Sequence, residues 1–276
     1  MKTFLDKVAV VTGAGSGIGQ ALAIELAKAG AQIALSDINQ DGLNNTVEKI
    51  QSIAPNTQMH IYQLDVADQA AVGEYAKIVH EQFGQIDLLI NNAGVALSYL
   101  IDQVQREDFQ WLMNINFWGV VNGCEAFLPM LKQSVDAHIV NISSIFGIVS
   151  VPKQGPYNAA KFAVRGYSEC LHQEMNLMHP NVKVSTVHPG GIATDIARNA
   201  RVSSDENKEE LAASFDKLAR TSPEKAAKTI LEGVQKNKAR ILIGADAHFL
   251  SIISRVLGAG YMRIVQSIAK KKVMSK

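Results

Sequence analysis

Cysteine is almost absent from this chain: two in 276 residues, Cys124 and Cys170. Neither stands in a C-x-x-C pair or beside a histidine. That argues against a disulfide framework and a thiolate metal site, and both are read as buried free thiols of a reducing compartment. Net charge is almost absent as well, +1 from 27 basic and 26 acidic residues, so nothing draws the chain to nucleic acid as a polycation. Long hydrophobic runs are missing. No stretch approaches the roughly 20 apolar residues of a membrane span. The early run Val8–Val11, soon broken by Gly13, is too short for a signal-peptide core. Internal repeats, low-complexity tracts and Pro/Ser-rich linkers are lacking too. The expectation is a cytoplasmic protein with one domain over 1–276 and no nucleic-acid partner.

What is present is a hydrophobic fraction of 47%, enough for one sizeable core. Short β-rich runs alternate with longer amphipathic segments. Strands are predicted at Val8–Thr12, Gln32–Ser36, Met59–Leu64, Ile86–Ile90, His138–Ile142, Val182–Val187 and Arg240–Ile243. Helices are predicted at Gly17–Ala29, Gln40–Ile53, Ala70–Phe83, Glu107–Lys132, Tyr157–Met178 and Pro223–Lys236. Near-continuous apolar strands are covered on both faces, as in a parallel sheet. Right-handed crossovers then give an α/β, doubly wound, Rossmann-like architecture. The segment 195–222 is polar and irregular from Arg198 onward and reads as a flap inserted in that alternation. A C-terminal helical extension follows over 246–276.

After the first strand comes Thr12-Gly13-Ala14-Gly15-Ser16-Gly17-Ile18-Gly19. Glycines let a backbone turn tightly and approach a pyrophosphate, and the helix behind offers N–H groups and a positive dipole end. The spacing is G-x-x-x-G-x-G, with Ile18 where the usual dinucleotide fingerprint has its last glycine. Asp37, about twenty residues on, sits where a carboxylate can accept both ribose hydroxyl protons. It would repel a 2′-phosphate, and its neighbours Ser36, Ile38 and Asn39 offer no compensating cation. NAD is therefore favoured over NADP. A competing reading makes Asp37 a cap of the following helix.

Tyr157 and Lys161 lie four residues apart on a predicted helix, hence on one face. A nearby ammonium favours the phenolate, which would suit Tyr157 to proton transfer. Ser144, thirteen residues before Tyr157, follows a strand and can hydrogen-bond a substrate oxygen as it gains charge. An ordinary strand-end turn is the alternative. Asn91-Asn92-Ala93-Gly94 ends another strand with small residues that let backbone approach a cofactor. Asn116, inside the long helix, either interrupts the ladder and holds a water or is a satisfied buried amide.

Taken in order, Thr12–Gly19, Asp37, Asp65-Val66, Asn91–Gly94, Asn116, Ser144, Tyr157, Lys161 and Pro189–Thr194 resemble the short-chain dehydrogenase/reductase family, over about residues 5–245. The resemblance implies roles. Tyr157 would be the acid/base, with Lys161 lowering its pKa and binding the nicotinamide ribose. Ser144 would polarise the substrate carbonyl, and Asn116 would hold a relay water. Gly13, Ser16, Gly17, Ile18 and Gly19 would cradle the pyrophosphate. Asp37 would bind the adenosine ribose, and Asp65 and Val66 would flank adenine. Asn91, Asn92, Ala93 and Gly94 would contact the cofactor. Pro189, Gly190 and Ile192 would pack near the nicotinamide, with Thr194 bonding its carboxamide. No metal is expected. A homodimer or homotetramer is.

The expected pocket wall is mostly apolar: Val95, Ala96, Tyr99, Phe146, Val149, Val151 and Gln154, with Ile196 and Leu211 from the flap. It suits a hydrophobic secondary or lipid-like alcohol or ketone. Arg198 and Arg201 leave an anionic substrate open. Rival functions are an NADPH-dependent ketoreductase and a non-catalytic dinucleotide sensor. In the extension, Phe249, Ile252, Ile253, Val256 and Leu257 recur at helical spacing before Gly258 and Gly260, followed by Ile264, Ile268 and Lys270–Lys272. They make either a membrane-surface helix or a helix packed on this or a neighbouring subunit.

Overall fold

The computed structural model of the chain describes residues 1–204 and 207–273, with side chains for all of these but Leu218 and residues 268–273. Strand and helix alternate as β1 (Val8–Thr12), α1 (Gly17–Lys28), β2 (Gln32–Asp37), α2 (Gln40–Ile53), β3 (Met59–Gln63), α3 (Gln69–Phe83) and β4 (Leu88–Asn91). A short strand, β5 (Leu97–Ser98), precedes α4 (Arg106–Met113), a π-helical turn at Asn114–Trp118 and α5 (Gly119–Leu131). Next come β6 (Ala137–Ile142), a 3-10 turn at Ile145–Gly147, α6 (Gly155–Met178) and β7 (Val182–Pro189). The chain continues through β8 (Arg201–Val202), α7 (Lys208–Leu218), α8 (Pro223–Gln235), β9 (Arg240–Ile243), α9 (Ala245–Leu257) and α10 (Tyr261–Val273).

Every residue of β1 is buried, because helices cover both faces of the sheet to which it belongs. That sheet has seven parallel strands in the order β3-β2-β1-β4-β6-β7-β9. On one face Leu22 and Leu26 of α1, Leu43 and Ile50 of α2, and Ile230 and Val234 of α8 form a core with Val11, Ile33 and Ile241. On the other, Tyr75 and Val79 of α3, Phe127 and Leu131 of α5, and Val164 and Leu171 of α6 pack on Val10, Leu89 and Ile139. The doubly wound, Rossmann-like fold is thus realised as a single domain. Strand order reverses between β1 and β4, and ligands of such sheets bind at the carboxyl ends beside that switch point. The loops after β1, β2, β4, β6 and β7 all open there.

Several expectations are revised. The predicted helix Glu107–Lys132 is two helices joined by the π-turn, whose wider i→i+5 bonding falls on Asn116. Helix α6 starts two residues before Tyr157, because Pro156, without an N–H to satisfy, suits its first turn. The flap is more ordered than its polarity suggests. β8 pairs in parallel with β5, and α7 is capped by Asn207, whose side chain accepts from Glu210 N at 3.0 Å. Cys124 is buried, but Cys170 is exposed: it lies on the outer face of α6.

Candidate active site

The glycine turn is shaped by contacts that no larger residue would allow. Gly13 and Gly17 have φ of +64° and +54°, a region that costs other residues strain. A Cβ on Gly19 would run into the Gly13 carbonyl, and one on Gly13 would lie 2.7 Å from Ala93 Cα. Ser16, extended, leads into α1, and Ile18 packs half-buried against the core beneath. Thr12 braces the facing loop: its hydroxyl accepts from Asn92 N at 3.0 Å and from Ala93 N at 3.1 Å. The Asn92 amide returns bonds to the carbonyls of Thr12 at 2.9 Å and Gly13 at 3.1 Å. The loops after β1 and β4 are therefore one unit.

Asp37 ends β2 with Oδ2 accepting from Gly15 N at 2.8 Å and Oδ1 from Asn39 N at 2.9 Å. The cap of α2 is Asn39, whose side chain accepts from Gly42 N. That disposes of the capping alternative for Asp37. Each carboxylate oxygen has two lone pairs, so one on each remains for a ribose diol. Asp65 accepts from Ala67 N at 2.9 Å in a local turn at the edge, and Val66 is buried against Gly119. Asn91 is a correction. It lies under the site, 3% exposed, giving its amide N–H to Asn141 at 2.9 Å and Cys124 at 3.4 Å. Its place in the strand turns its side chain toward α5, against Val120, Gly123 and Cys124.

Asn116 is fully buried, its amide bonded both ways to Val95: Oδ1 accepts from the N–H and Nδ2 donates to the carbonyl, each at 2.8 Å. This fixes the residue after Gly94. A Cβ on Gly94 would stand 3.3 Å from Asn116 Oδ1 and 3.6 Å from Lys161 Nζ, so the three meet at one point. Lys161 is 3% exposed and donates to the Ile142 carbonyl at 3.0 Å. Burial lowers its pKa to about 8. Its ammonium lies 5.6 Å from the centre of the Tyr157 ring, within cation–π range. Burial also pushes the Tyr157 phenol up to about 12, opposed by a hydrogen bond with Ser144. Desolvation, rather than the ammonium, dominates the phenol here.

Ser144 stands after β6, its hydroxyl also accepting from Phe146 N at 3.1 Å. Ser143, by contrast, is structural, bonding the Lys161 carbonyl at 2.8 Å and so tying α6 to β6. Phe146 meets the Tyr157 ring edge-on at 6.3 Å. Val95 and Tyr99 pack in the cluster that includes Tyr157, and Tyr99 and Gln154 form a bridge beside it. Val149 is fully buried with Ile145, Ile148 and Ala247, so it belongs to the core. The flap arginines are occupied. Arg198 pairs with Asp195 at 2.8 Å and Asp216 at 2.5 Å, and Arg201 pairs with Asp108 at 2.7 Å while lying 3.7 Å over the Trp111 ring.

Pro189 closes β7, and the following turn is held from outside. Gly190 N donates to Ile243 O at 2.9 Å, and Gly191 N donates to Asp246 at 2.8 Å. Ile192 is buried and bridged to Thr221, and the methyl of Thr194 reaches the Gly17 turn. Sequence reasoning missed Asp246 and also His188. The His188 Nδ1 pairs with the Ser144 carbonyl at 2.8 Å, and burial lowers its pKa to about 4. It stays neutral and steadies the chain at Ser144, just past the end of β6. Neither residue has a local signature, because each acts on the end of a neighbouring strand, 44 and 55 residues away in the chain.

A family model described as short chain dehydrogenase matches residues 7–205. A Mycobacterium tuberculosis protein named "Putative oxidoreductase SadH" is 48% identical over 266 residues, covering 96% of this chain and 96% of that protein. Among solved structures, a short chain dehydrogenase/reductase from Burkholderia phymatum in complex with NAD matches with TM-score 0.85 at 28% identity. The match covers 93% of this chain and 95% of that one. An alcohol dehydrogenase from the archaeon Thermococcus sibiricus, complexed with 5-hydroxy-NADP, matches with TM-score 0.72 at 26% identity. It covers 86% of this chain and 94% of that one. With its seven-stranded parallel sheet and these matches, the chain belongs to the short-chain dehydrogenase/reductase family of oxidoreductases.

Proposed function

We propose that the protein interconverts a hydrophobic secondary or lipid-like alcohol and its carbonyl compound, using NAD, with Tyr157 as general acid/base. The observation that carries this is the meeting of Gly94, Asn116, Lys161, Tyr157 and Ser144 at the carboxyl ends of β4 and β6. NAD, when bound, accepts the hydride from the alcohol carbon, and NADH returns it. The glycine turn fits such a group, since it leads into the N-terminus of α1, whose free N–H groups and positive dipole end suit a pyrophosphate.

Each part of the site has a role in this reading. Gly13, Ser16, Gly17, Ile18 and Gly19 form the turn that admits the pyrophosphate. Asn92, Ala93 and Gly94 face it from β4, while Asp65 and Val66 border the adenine end. Asp37 takes the adenosine ribose through its two free lone pairs. A 2′-phosphate there would face the carboxylate, which supports NAD over NADP. Pro189, Gly190, Ile192 and Thr194 line the nicotinamide end. Lys161 spends one N–H on Ile142 and has two for the nicotinamide ribose. Ser144 bonds the substrate oxygen, and Tyr157 holds or takes the proton at that atom. Arg198 and Arg201, the two flap arginines that could have met an anionic substrate, are tied in ion pairs, which supports the apolar class.

Absorbance of reduced nicotinamide tests the proposal. The protein is mixed with NAD or NADP and a panel of secondary, long-chain and cyclic alcohols, with Tyr157→Phe as control. Turnover with NAD that the variant lacks is the expected result. Turnover confined to NADP would overturn the reading of Asp37. Tight cofactor binding without turnover on any alcohol or ketone would favour a dinucleotide sensor.

A further inference from the structure

Residues 247–276 contain six basic residues and no acidic one, whereas the chain before them has 21 basic against 26 acidic. This charged segment is also the one with the most concentrated exposed apolar surface. Between residues 249 and 264, Phe249, Ile252, Val256, Leu257, Met262 and Ile264 are all exposed, the first three by 60%, 62% and 76%. Elsewhere among the described residues, large exposed apolar side chains stand singly or in adjacent pairs along the sequence.

Helical geometry explains why the stripe cannot turn inward. Along α9, Ala247, Leu250 and Ser251 form one face, packed with Ile145, Ile148 and Val149. Phe249, Ile252 and Val256 fall on the opposite face at i, i+3 and i+7. The Tyr261 hydroxyl then pins the start of α10, accepting from Ser150 N at 3.0 Å. The extension is therefore anchored through its inner face, and the outer one is left as surface. Arg255 and Arg263 are exposed on the same pair of helices. The side chains of Ile268 and Lys270–Lys272 lie outside the described residues, so they enter only as composition.

We infer that the outward face of α9 and the start of α10 docks on an anionic lipid bilayer. An amphipathic helix of this kind lies in the interface plane, apolar face among the acyl chains, its cations among acidic headgroups. Charge decides between lipid and a second copy of the chain. A two-fold contact through this patch would bring Arg255 and Arg263 of both copies together, four like charges with no described acidic side chain from 247 onward to offset them, since such contacts are self-complementary. Acidic headgroups neutralise the same charges. The placement is also economical: Phe146 shares a cluster with Leu250 and Tyr261 and is the residue edge-on to Tyr157. The docked surface would adjoin the substrate loop.

Vesicle sedimentation of the full chain tests this without any readout of activity. Vesicles of phosphatidylcholine mixed with phosphatidylserine are compared with phosphatidylcholine alone. The chain is expected to pellet with the mixed vesicles and to be released by salt. A triple variant, Phe249→Ser with Ile252→Ser and Val256→Ser, should lower partitioning about ten-fold or more. Because those side chains are exposed, its unfolding transition should match the parent's. Arg255→Glu with Arg263→Glu should weaken binding to the mixed vesicles selectively. The inference is overturned if the parent stays in the supernatant with both vesicles, or if the triple variant pellets equally. It is also overturned if the triple variant only converts an oligomer to a smaller species in ultracentrifugation, which would make the patch a subunit interface.

Discussion

Replacing Lys161 with methionine tests the electrostatics of the site most directly. The ammonium is 3% exposed, and burial holds its pKa near 8 against an ordinary 10.5. That gap corresponds to roughly 3 kcal/mol at about 1.4 kcal/mol per pH unit. Between pH 8 and 10.5 the unfolded chain keeps a proton on Lys161 that the folded chain has shed, so stability rises with pH across that window. Below the window the whole penalty stands; above it none remains. Lys161→Met deletes the charge and keeps the apolar stem. It also strands the Ile142 carbonyl, at a cost of about 1–3 kcal/mol, but that cost is the same at every pH. Groups remote from Lys161 are the same in both proteins and cancel in the difference. Urea unfolding of both proteins from neutral pH to about 10.5 should therefore show the parent gaining roughly 3 kcal/mol on the variant. A difference that stays flat would refute the argument, because it would mean that the ammonium is solvated or paired when folded. The variant should lose turnover throughout.

Three further perturbations separate the parts of the site. Asn116→Ala removes two bonds to Val95, about 2 kcal/mol in all, and should lower Tm by several degrees while kcat falls far more than KM changes; an unaltered kcat in a folded protein would argue against a positioning role. Gly19→Ala places a Cβ against the Gly13 carbonyl, and overpacking of about 1–3 kcal/mol should weaken dinucleotide binding roughly ten- to hundred-fold in a calorimetric titration, an effect absent if the turn can relax. Asp37→Ser should raise kcat/KM with NADP relative to NAD by at least about ten-fold, since it removes a repelling carboxylate; an unchanged cofactor ratio in nicotinamide absorbance assays would show that the carboxylate does not read the ribose.

Much of the fold was legible because buried parallel strands write themselves as apolar runs. Val8–Thr12 and Ile139–Ile142 need no context to be read, and the alternation with amphipathic helices leaves few other architectures. The glycine turn was legible for a different reason: positive φ at Gly13 and Gly17 is a local demand that only a few residue types meet. Boundaries failed where tertiary contacts decide them. The π-turn at Asn116 depends on the amide reaching Val95, twenty-one residues away, and local propensity carries no trace of that. Asn91 was misplaced by one position. Strand alternation sends Asn91 inward and Asn92 outward, and adjacent identical residues hide which is which. The flap arginines were left open to a substrate because Asp108 and Asp216 come from α4 and α7; only Asp195, three residues before Arg198, lies in neighbouring sequence.

The site's two ionisable groups show why proximity in sequence was an incomplete guide to chemistry. Four-residue spacing put Lys161 and Tyr157 on one face, as expected. The same packing that brings them together removes water from both. Desolvation moves the lysine down and the phenol up, each toward its neutral form. In that setting a phenol is a retained acid, ready to give a proton to an oxygen that is gaining negative charge. Ser144 bonds both the phenol and, in the proposed reaction, that same oxygen. The Ser144 carbonyl is fixed by neutral His188, and Gly94 by way of Val95 and Asn116. In the proposed reaction, proton transfer would depend on strand ends held by neighbouring elements, His188 of β7 on Ser144 and Asn116 on Val95. Substitutions at those supports should therefore act on kcat, while substitutions in the apolar wall should act first on which alcohol is accepted.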